Sequence, residues 1–509
     1  MLRRSLSKAV GLFAAYSSPP RRRCVRGSFQ GSQPLEARVL LSGVTATAAA
    51  APVVNNLGPD VTLTEGSSPT LVAPTATVSD ADSPHFGGGR LTVSLANAQS
   101  TDQLLIRNLG PGPGQIGLSG NRVLYGGSVI GTVSGGRGSS PLVVSLNRNA
   151  TQGAVQALVR NVGFANPSED PSSQTRVITF KLQDGSGQVS APASKSIFVV
   201  PVNDAPVLSG LGNTVNWSES TGAAVVISPN AQASDVDSSN FDGGTLTVTV
   251  AGNAGPGDVL EVRNQGTQAG QIGVAGNVVT YGGVAIGVVT GAGTSSLSVA
   301  LNSAATPAAV SALMKNITFD NTDTNPSSLT RRVDFQLSDG DGGTSSVQSS
   351  CVAIAAVNDA PVVSNFGPSV SYQRGSTPAF LSTTATVTDA DSTNFAGGRL
   401  TVQITANAQG SDGFAIFSEG FGPGQLGLSG NQVYYGGVLF GSLSGGAGTT
   451  PLVASFNQNA TPAAVQALIR NIGFYTSPYA STATRQISLT LSDGDGGTSS
   501  AVVKNIVLT

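Results

Sequence analysis

"VSDADSPHFGGGRLTVSL", Val78 to Leu95, returns as "ASDVDSSNFDGGTLTVTV" from Ala233 and as "VTDADSTNFAGGRLTVQI" from Val387. A second phrase, "NATQGAVQALVRNVGF", also occurs in three versions, ending at Phe164, Phe319 and Phe474, 155 residues apart each time. Self-similarity at a fixed period marks a repeat architecture. The match runs nearly end to end, so the chain divides into a leader, 1–50, and three copies of one unit, 51–204, 205–359 and 360–509. A length of 509 residues suits three units, given roughly 100–200 residues per domain.

Inside each copy the hydrophobic pattern has period two. Short runs such as "GRLTVSL", "RVITFKLQD" and "SIFVVPV" are divided by Gly-Gly and Asp-Gly turns, the texture of an all-β sandwich. "SGNRVLYGGSVIGTVSGG" predicts consecutive hairpins whose glycines supply positive φ. One short helix interrupts the strands in each copy. In the third, Thr461 is suited to the N-cap and Pro462 to the first helical position. Val465, Leu468 and Ile469 share one face, which is expected to cover an open end of the sandwich.

Composition excludes several functions. Charged residues are 11% of the chain and the net charge is -2, which leaves no basic face for nucleic acid. The only histidine is His85, with Asn240 and Asn394 in its place in the other copies, so neither a Ser-His-Asp triad nor a multi-histidine zinc site can be assembled. Gly112, Gly114 and Gly117 have dinucleotide-loop spacing, repeated at Gly422, Gly424 and Gly427, but prolines interrupt the loop and a hairpin follows where a helix is required. Six Glu and a single Trp, Trp217, give little support to a glycosidase. No enzyme is expected. Tyr125, Tyr281 and Tyr435 recur at equivalent hairpin positions, which fits a core or turn role and leaves a polysaccharide-binding face as the alternative.

The leader reads as an export segment. "MLRRSLSKAVGLFAAY" combines basic and apolar residues, and "LEARVLLSGVTATAAAA" ends in the small residues a signal peptidase accepts. Arg3-Arg4 is a partial twin-arginine match. No later stretch approaches 18 uninterrupted apolar residues, so no membrane-spanning segment is expected in the mature chain. Cys24 and Cys351 are the only cysteines, and removal of the leader would leave one thiol and no internal disulfide.

The acidic residues carry the chemistry. Asp80 and Asp82, Asp235 and Asp237, and Asp389 and Asp391 each form D-x-D beside a glycine-rich turn. Neighbouring carboxylates repel, and a hard cation reverses the sign; an Asx turn before a strand is the competing role. "VPVNDAPVLSG", from Val200, and "AAVNDAPVVSN", from Ala355, mark the two joints between copies.

Together these residues resemble bacterial cadherin-like repeat proteins of the VNDAP type. The resemblance implies three tandem cadherin-like or immunoglobulin-like β-sandwiches with calcium between successive domains, held by a Glu near the start of one domain, the linker, and the D-x-D of the next. Carried over residue by residue, it implies Glu65, Asn203, Asp204, Asp235 and Asp237 at the first joint. At the second it implies Glu219, Asn358, Asp359, Asp389 and Asp391. The third copy has Gln373 and Arg374 where the Glu is expected, and the chain ends at Thr509 short of another VNDAP, so the ligand is missing where the joint is missing. Pro201 and Ala356 replace the first linker Asp, and no D-R-E segment is found, which implies weaker sites of about 10⁻⁴–10⁻³ M. "LSDGDGGTSS", with Asp339 and Asp341, recurs at Asp493 and Asp495 and is read as a hairpin turn. "LEARVLLSG", Leu35 to Gly43, resembles the LEPR-XLL element of exported planctomycete proteins, with Ala37 in place of the proline. The expected product is a non-catalytic surface or secreted protein whose partners are other surface proteins or extracellular polysaccharide.

Overall fold

The period-two runs become strands because each buries every second side chain. Along Arg176–Gln183, Ile178, Phe180 and Leu182 are fully buried while their neighbours are half-buried or exposed. Each such side chain contributes about 1.5–3 kcal/mol by leaving water. The computed structural model describes residues 49–509. The leader features, Arg3-Arg4, Cys24 and Leu35 to Gly43, lie outside the described residues.

Each copy builds the same three sheets. In the first, eight strands lie in the order Val61–Thr64, Ala193–Val200, Arg176–Gln183, Arg90–Ala96, Leu142–Leu146, Ser128–Ser134, Arg122–Tyr125 and Ile116–Ser119. Val162–Ala165 lies between Thr70–Leu71 and Gln103–Ile106 in a three-stranded sheet, and Val53–Asn55 pairs with Thr77–Ser79. Residues from all three sheets share one apolar core. The second and third copies repeat this order strand for strand, around cores running from Leu208 to Ile354 and from Val363 to Leu508. The chain is all-β, three tandem β-sandwich repeats with one short helix each. Among the described residues, no helix is long and apolar enough to cross a membrane.

The glycine hairpins form as expected. Gly126 and Gly127, at φ 56° and 82°, join Arg122–Tyr125 to Ser128–Ser134 in the left-handed conformation a two-residue turn demands. The helices α1 (Gln152–Arg160), α2 (Pro307–Met314) and α3 (Pro462–Arg470) are capped by Thr151, Thr306 and Thr461, whose side-chain oxygens accept backbone N–H groups at 3.3 Å. Val465, Leu468 and Ile469 of α3 are buried in the core, the face their spacing predicts.

Two features escape a reading of local pattern. Each repeat buries an ion pair completely: Arg176 with Asp102 at 3.0 Å, Arg331 with Asp258 at 3.0 Å, and Arg485 with Asp412 at 2.8 Å. The second is the one parallel pairing in each repeat. Val61–Thr64 runs alongside Ala193–Val200 with Thr64 opposite Val200, and Thr214–Ser218 runs alongside Gln348–Ala355 with Ser218 opposite Ala355. Residues just past these early strands therefore emerge beside the chain leaving for the next repeat.

Candidate metal centre at the joints

Parallel register delivers Glu65 to the first linker. Its backbone N–H donates to the Val200 carbonyl at 3.0 Å, and its Oε2 accepts the Val202 N–H at 2.8 Å. Oε1 is shielded from solvent and has no hydrogen-bond partner. Glu219 repeats the arrangement at the second joint, with its N–H on the Ala355 carbonyl at 3.1 Å and its Oε2 on the Val357 N–H at 2.8 Å. In the third repeat the same register position belongs to Arg374, whose N–H donates to the Thr509 carbonyl at 3.1 Å and whose Nη1 donates to the Ala480 carbonyl at 2.6 Å.

Across each joint the linker is tied to the D-x-D that follows. The Asp204 N–H donates to Asp237 Oδ2 at 3.0 Å, and the Asp359 N–H donates to Asp391 Oδ2 at 3.0 Å. Asp235 Oδ1 accepts the N–H groups of Asp237 and Ser238, and Asp389 Oδ1 those of Asp391 and Ser392. The two tasks fall to different members of each D-x-D: Asp235 and Asp389 close the Asx turn, and Asp237 and Asp391 accept the linker N–H. The remaining oxygens, Asp204 Oδ2, Asp235 Oδ2, Asp237 Oδ1, Asp389 Oδ2 and Asp391 Oδ1, are shielded and without hydrogen-bond partners. Burial, and then the neighbouring Asp237 carboxyl, push the Asp235 carboxyl above its ordinary value. Asp389 is raised as well, by burial first and with Asp391 adding to it against the Ser392 N–H.

Three carboxylates that sequence reading left out belong to this geometry. Asp339 and Asp493, read as turn residues, do organise their hairpins: Asp339 Oδ1 accepts the N–H groups of Asp341, Gly342 and Gly343, and Asp493 Oδ1 those of Asp495, Gly496 and Gly497. Their other oxygens reach the linkers. Asn203 Nδ2 donates to Asp339 Oδ2 at 2.8 Å and Asn358 Nδ2 to Asp493 Oδ2 at 2.9 Å. Burial opposes ionisation of Asp339, but the Asn203 amide and the backbone N–H groups outweigh it and hold the carboxyl below its ordinary value. The third is Glu169, in the loop between Val162–Ala165 and Arg176–Gln183. Glu65, Glu169 and Asp204 each place a carboxylate oxygen within 4.8 Å of the others. Asp204, Asp235 and Glu169 also line one groove at the joint. Thr324 occupies the position of Glu169 in the second repeat, so nothing periodic advertised it.

A glycine fixes the approach of hairpin to linker. A Cβ on Gly343 would lie 2.7 Å from the Asp204 carbonyl oxygen and 2.8 Å from the Ala205 Cα; one on Gly497 would lie 2.8 Å from both the Asp359 carbonyl oxygen and the Ala360 Cα. In the first repeat, where no Asn-Asp-Ala-Pro precedes the domain, Gln188 takes this place. The change from "DGSGQ" to "DGDGG" was the available signal for Asp339 and Asp493. The first repeat still gathers Asp80, Asp82 and Asp184, with carboxylate oxygens within 4.8 Å of one another.

Neither a protein-family model nor a curated protein sequence matches the chain. Solved structures similar to it are cadherin extracellular domains. Domains 1–4 of protocadherin gamma B7 are 12% identical, with 90% of this chain and 76% of that one covered and a TM-score of 0.28. Mouse cadherin-23 EC22-24 is 11% identical over 90% of this chain and 99% of its own, at a TM-score of 0.29. Drosophila N-cadherin EC1-3 is 10% identical, covering 89% and 99%, at 0.15.

Proposed function

We propose that this chain is a non-catalytic, extracellular structural or adhesion protein in which modules 51–204, 205–359 and 360–509 are held in line by calcium at the two joints. The observation that supports this reading is the set of carboxylate oxygens at the joints that are shielded from solvent yet without a hydrogen-bond partner: Glu65, Asp204, Asp235 and Asp237 on both sides of the first linker, and Asp389 and Asp391 on the far side of the second. Leaving such groups unpaired is costly, and two carboxylates ~4–5 Å apart repel by about 3–4 kcal/mol at an effective dielectric near 20. A divalent ion removes both penalties at once.

The donor set fits calcium. It consists of hard oxygens from several carboxylates, which suits an ion taking 6–8 oxygen ligands in flexible geometry, and it offers no imidazole or thiolate. Glu65, Glu169, Asp204, Asp235 and Asp237 would hold the ion at the first joint, and Glu219, Asp359, Asp389 and Asp391 at the second. Asn203 and Asn358 would orient the linker through Asp339 and Asp493. An ion bound by groups from two modules restricts their relative motion, which is the mechanical property a spacer or adhesion stalk needs.

Small-angle scattering of the full chain, with calcium and with chelator, tests the reading. The expected result is a longer, narrower particle with calcium, abolished by pairing Asp237→Asn with Asp391→Asn. Superimposable curves, together with no calorimetric heat on adding calcium, would reject it.

A further inference from the structure

A second surface lies beside the helix of the repeat. In the second repeat a groove of about 570 Å³ lies between α2 and the glycine hairpin, lined among others by Arg263, Gln265, Tyr281, Lys315 and Asn316. This volume falls within the ~300–1,000 Å³ typical of ligand sites. Its cations are held ready and unspent. Arg263 Nε donates to Asn316 Oδ1 at 2.9 Å, which fixes the guanidinium, and among the described residues its two terminal nitrogens make no hydrogen bond or ion pair. Neither Arg263 nor Lys315 belongs to an ion pair among the described residues, and no acidic residue lines the groove. Tyr281 packs against the core and also lines the groove.

We propose that this groove binds an acidic polysaccharide, one uronate residue at a time. A guanidinium with free terminal nitrogens presents a fork that matches a carboxylate, and Lys315 adds a point charge beside it. The half-buried Tyr281 ring supplies an apolar surface for the pyranose face, and Gln265 supplies amide groups for its hydroxyls. Local charge thus runs against the net -2 of the chain.

The other repeats provide internal comparisons. The first repeats the fixed cation, with Arg107 Nε on Asn161 Oδ1 at 3.0 Å. The third reverses it: the backbone position of Arg263, whose N–H bonds the Asn316 carbonyl, is taken by Phe417, whose N–H bonds that of Asn471 at 2.9 Å. Glu419 there lines a groove of about 310 Å³, together with Tyr435 and Arg470. One cation is gone and an anion has arrived, so the third repeat is not expected to take the same ligand.

Affinity electrophoresis of the full chain through gels containing polygalacturonate, neutral dextran or double-stranded DNA decides the matter, run in chelator so that the outcome is independent of metal at the joints. Retardation by polygalacturonate alone is expected. The combination of Arg263→Gln, Lys315→Gln and Arg107→Gln should weaken it at least tenfold, and Tyr281→Ala comparably, with unchanged circular dichroism. Gln265→Glu, which borrows the third repeat's Glu419, should weaken it severalfold without touching the core. No retardation by polygalacturonate, or retardation unaffected by these changes, overturns the proposal. Equal retardation by DNA with equal loss in the variants also overturns it, because the groove would then be reading charge and not sugar.

Discussion

Asp204 and Asp237, 33 positions apart, are joined by a 3.0 Å hydrogen bond from the backbone N–H of one to the carboxylate of the other. The bond crosses from linker to following domain, and Asp359 and Asp391 repeat it at the same length. The linker is therefore not a free tether. Its path is set by the acidic turn it meets, and a metal at that turn would act on a connection already in register.

The two joints are not equivalent, because Glu169 contributes at the first and Thr324 stands in its place at the second. Ligand charge count is a main control of calcium affinity. Calorimetry of the full chain should resolve a tighter and a weaker class of site. Glu169→Thr should weaken the tighter class roughly tenfold and Thr324→Glu should tighten the weaker one, each leaving the other class unchanged.

Gly343 and Gly497 allow hairpin and linker to touch. Gly497→Ala should displace the Asp493 carboxylate that holds Asn358 and force the Asp359–Ala360 backbone away, since the Cβ meets Asp493 Oδ2 and also main chain that cannot rotate aside. The expected consequence is a more flexible second joint, seen as a larger radius of gyration spread in scattering, while the third repeat's melting temperature falls by only a few degrees.

Protonation should act oppositely with and without metal. A carboxyl raised in the folded state binds its proton more tightly there, so its ionisation counts against stability, and the loss is relieved as pH falls through the raised value toward 3.8. Through Asp235 and Asp389, the metal-free chain should gain thermal stability on acidification into the range just above 3.8, and the pair Asp235→Asn and Asp389→Asn should flatten that rise. With calcium present the slope should invert, because protons compete with the ion. Asp339, held low, has the other sign: its contribution is complete above 3.8 and disappears as pH falls below it. Melting curves across pH, in chelator and in calcium, check all three statements.

The buried ion pairs should be intolerant of half-removal. Arg331→Met leaves Asp258 charged and fully enclosed, and should cost the second repeat about 3–5 kcal/mol in urea unfolding. Replacing both partners by apolar residues of similar volume should cost much less, because no stranded charge remains.

Sequence alone determined the repeat count, the strand-rich class, the turns and the capped helix, down to Thr461, Pro462 and the buried face of α3. These follow from local rules: a period of two or 3.6, the φ freedom of glycine, the proton acceptor of a threonine. It also marked out Glu65, Asp204 and Asp235 with their counterparts, since motifs copied two or three times stand out against their background. Tertiary structure decided what those residues meet. Glu65 reaches the linker only through a parallel pairing between strands more than a hundred residues apart, and Glu169 joins it from a loop with no echo elsewhere in the chain. The Arg331–Asp258 pair and the bond between Asn203 and Asp339 are of the same kind, contacts whose energy depends on distance in space and leaves no period in the sequence.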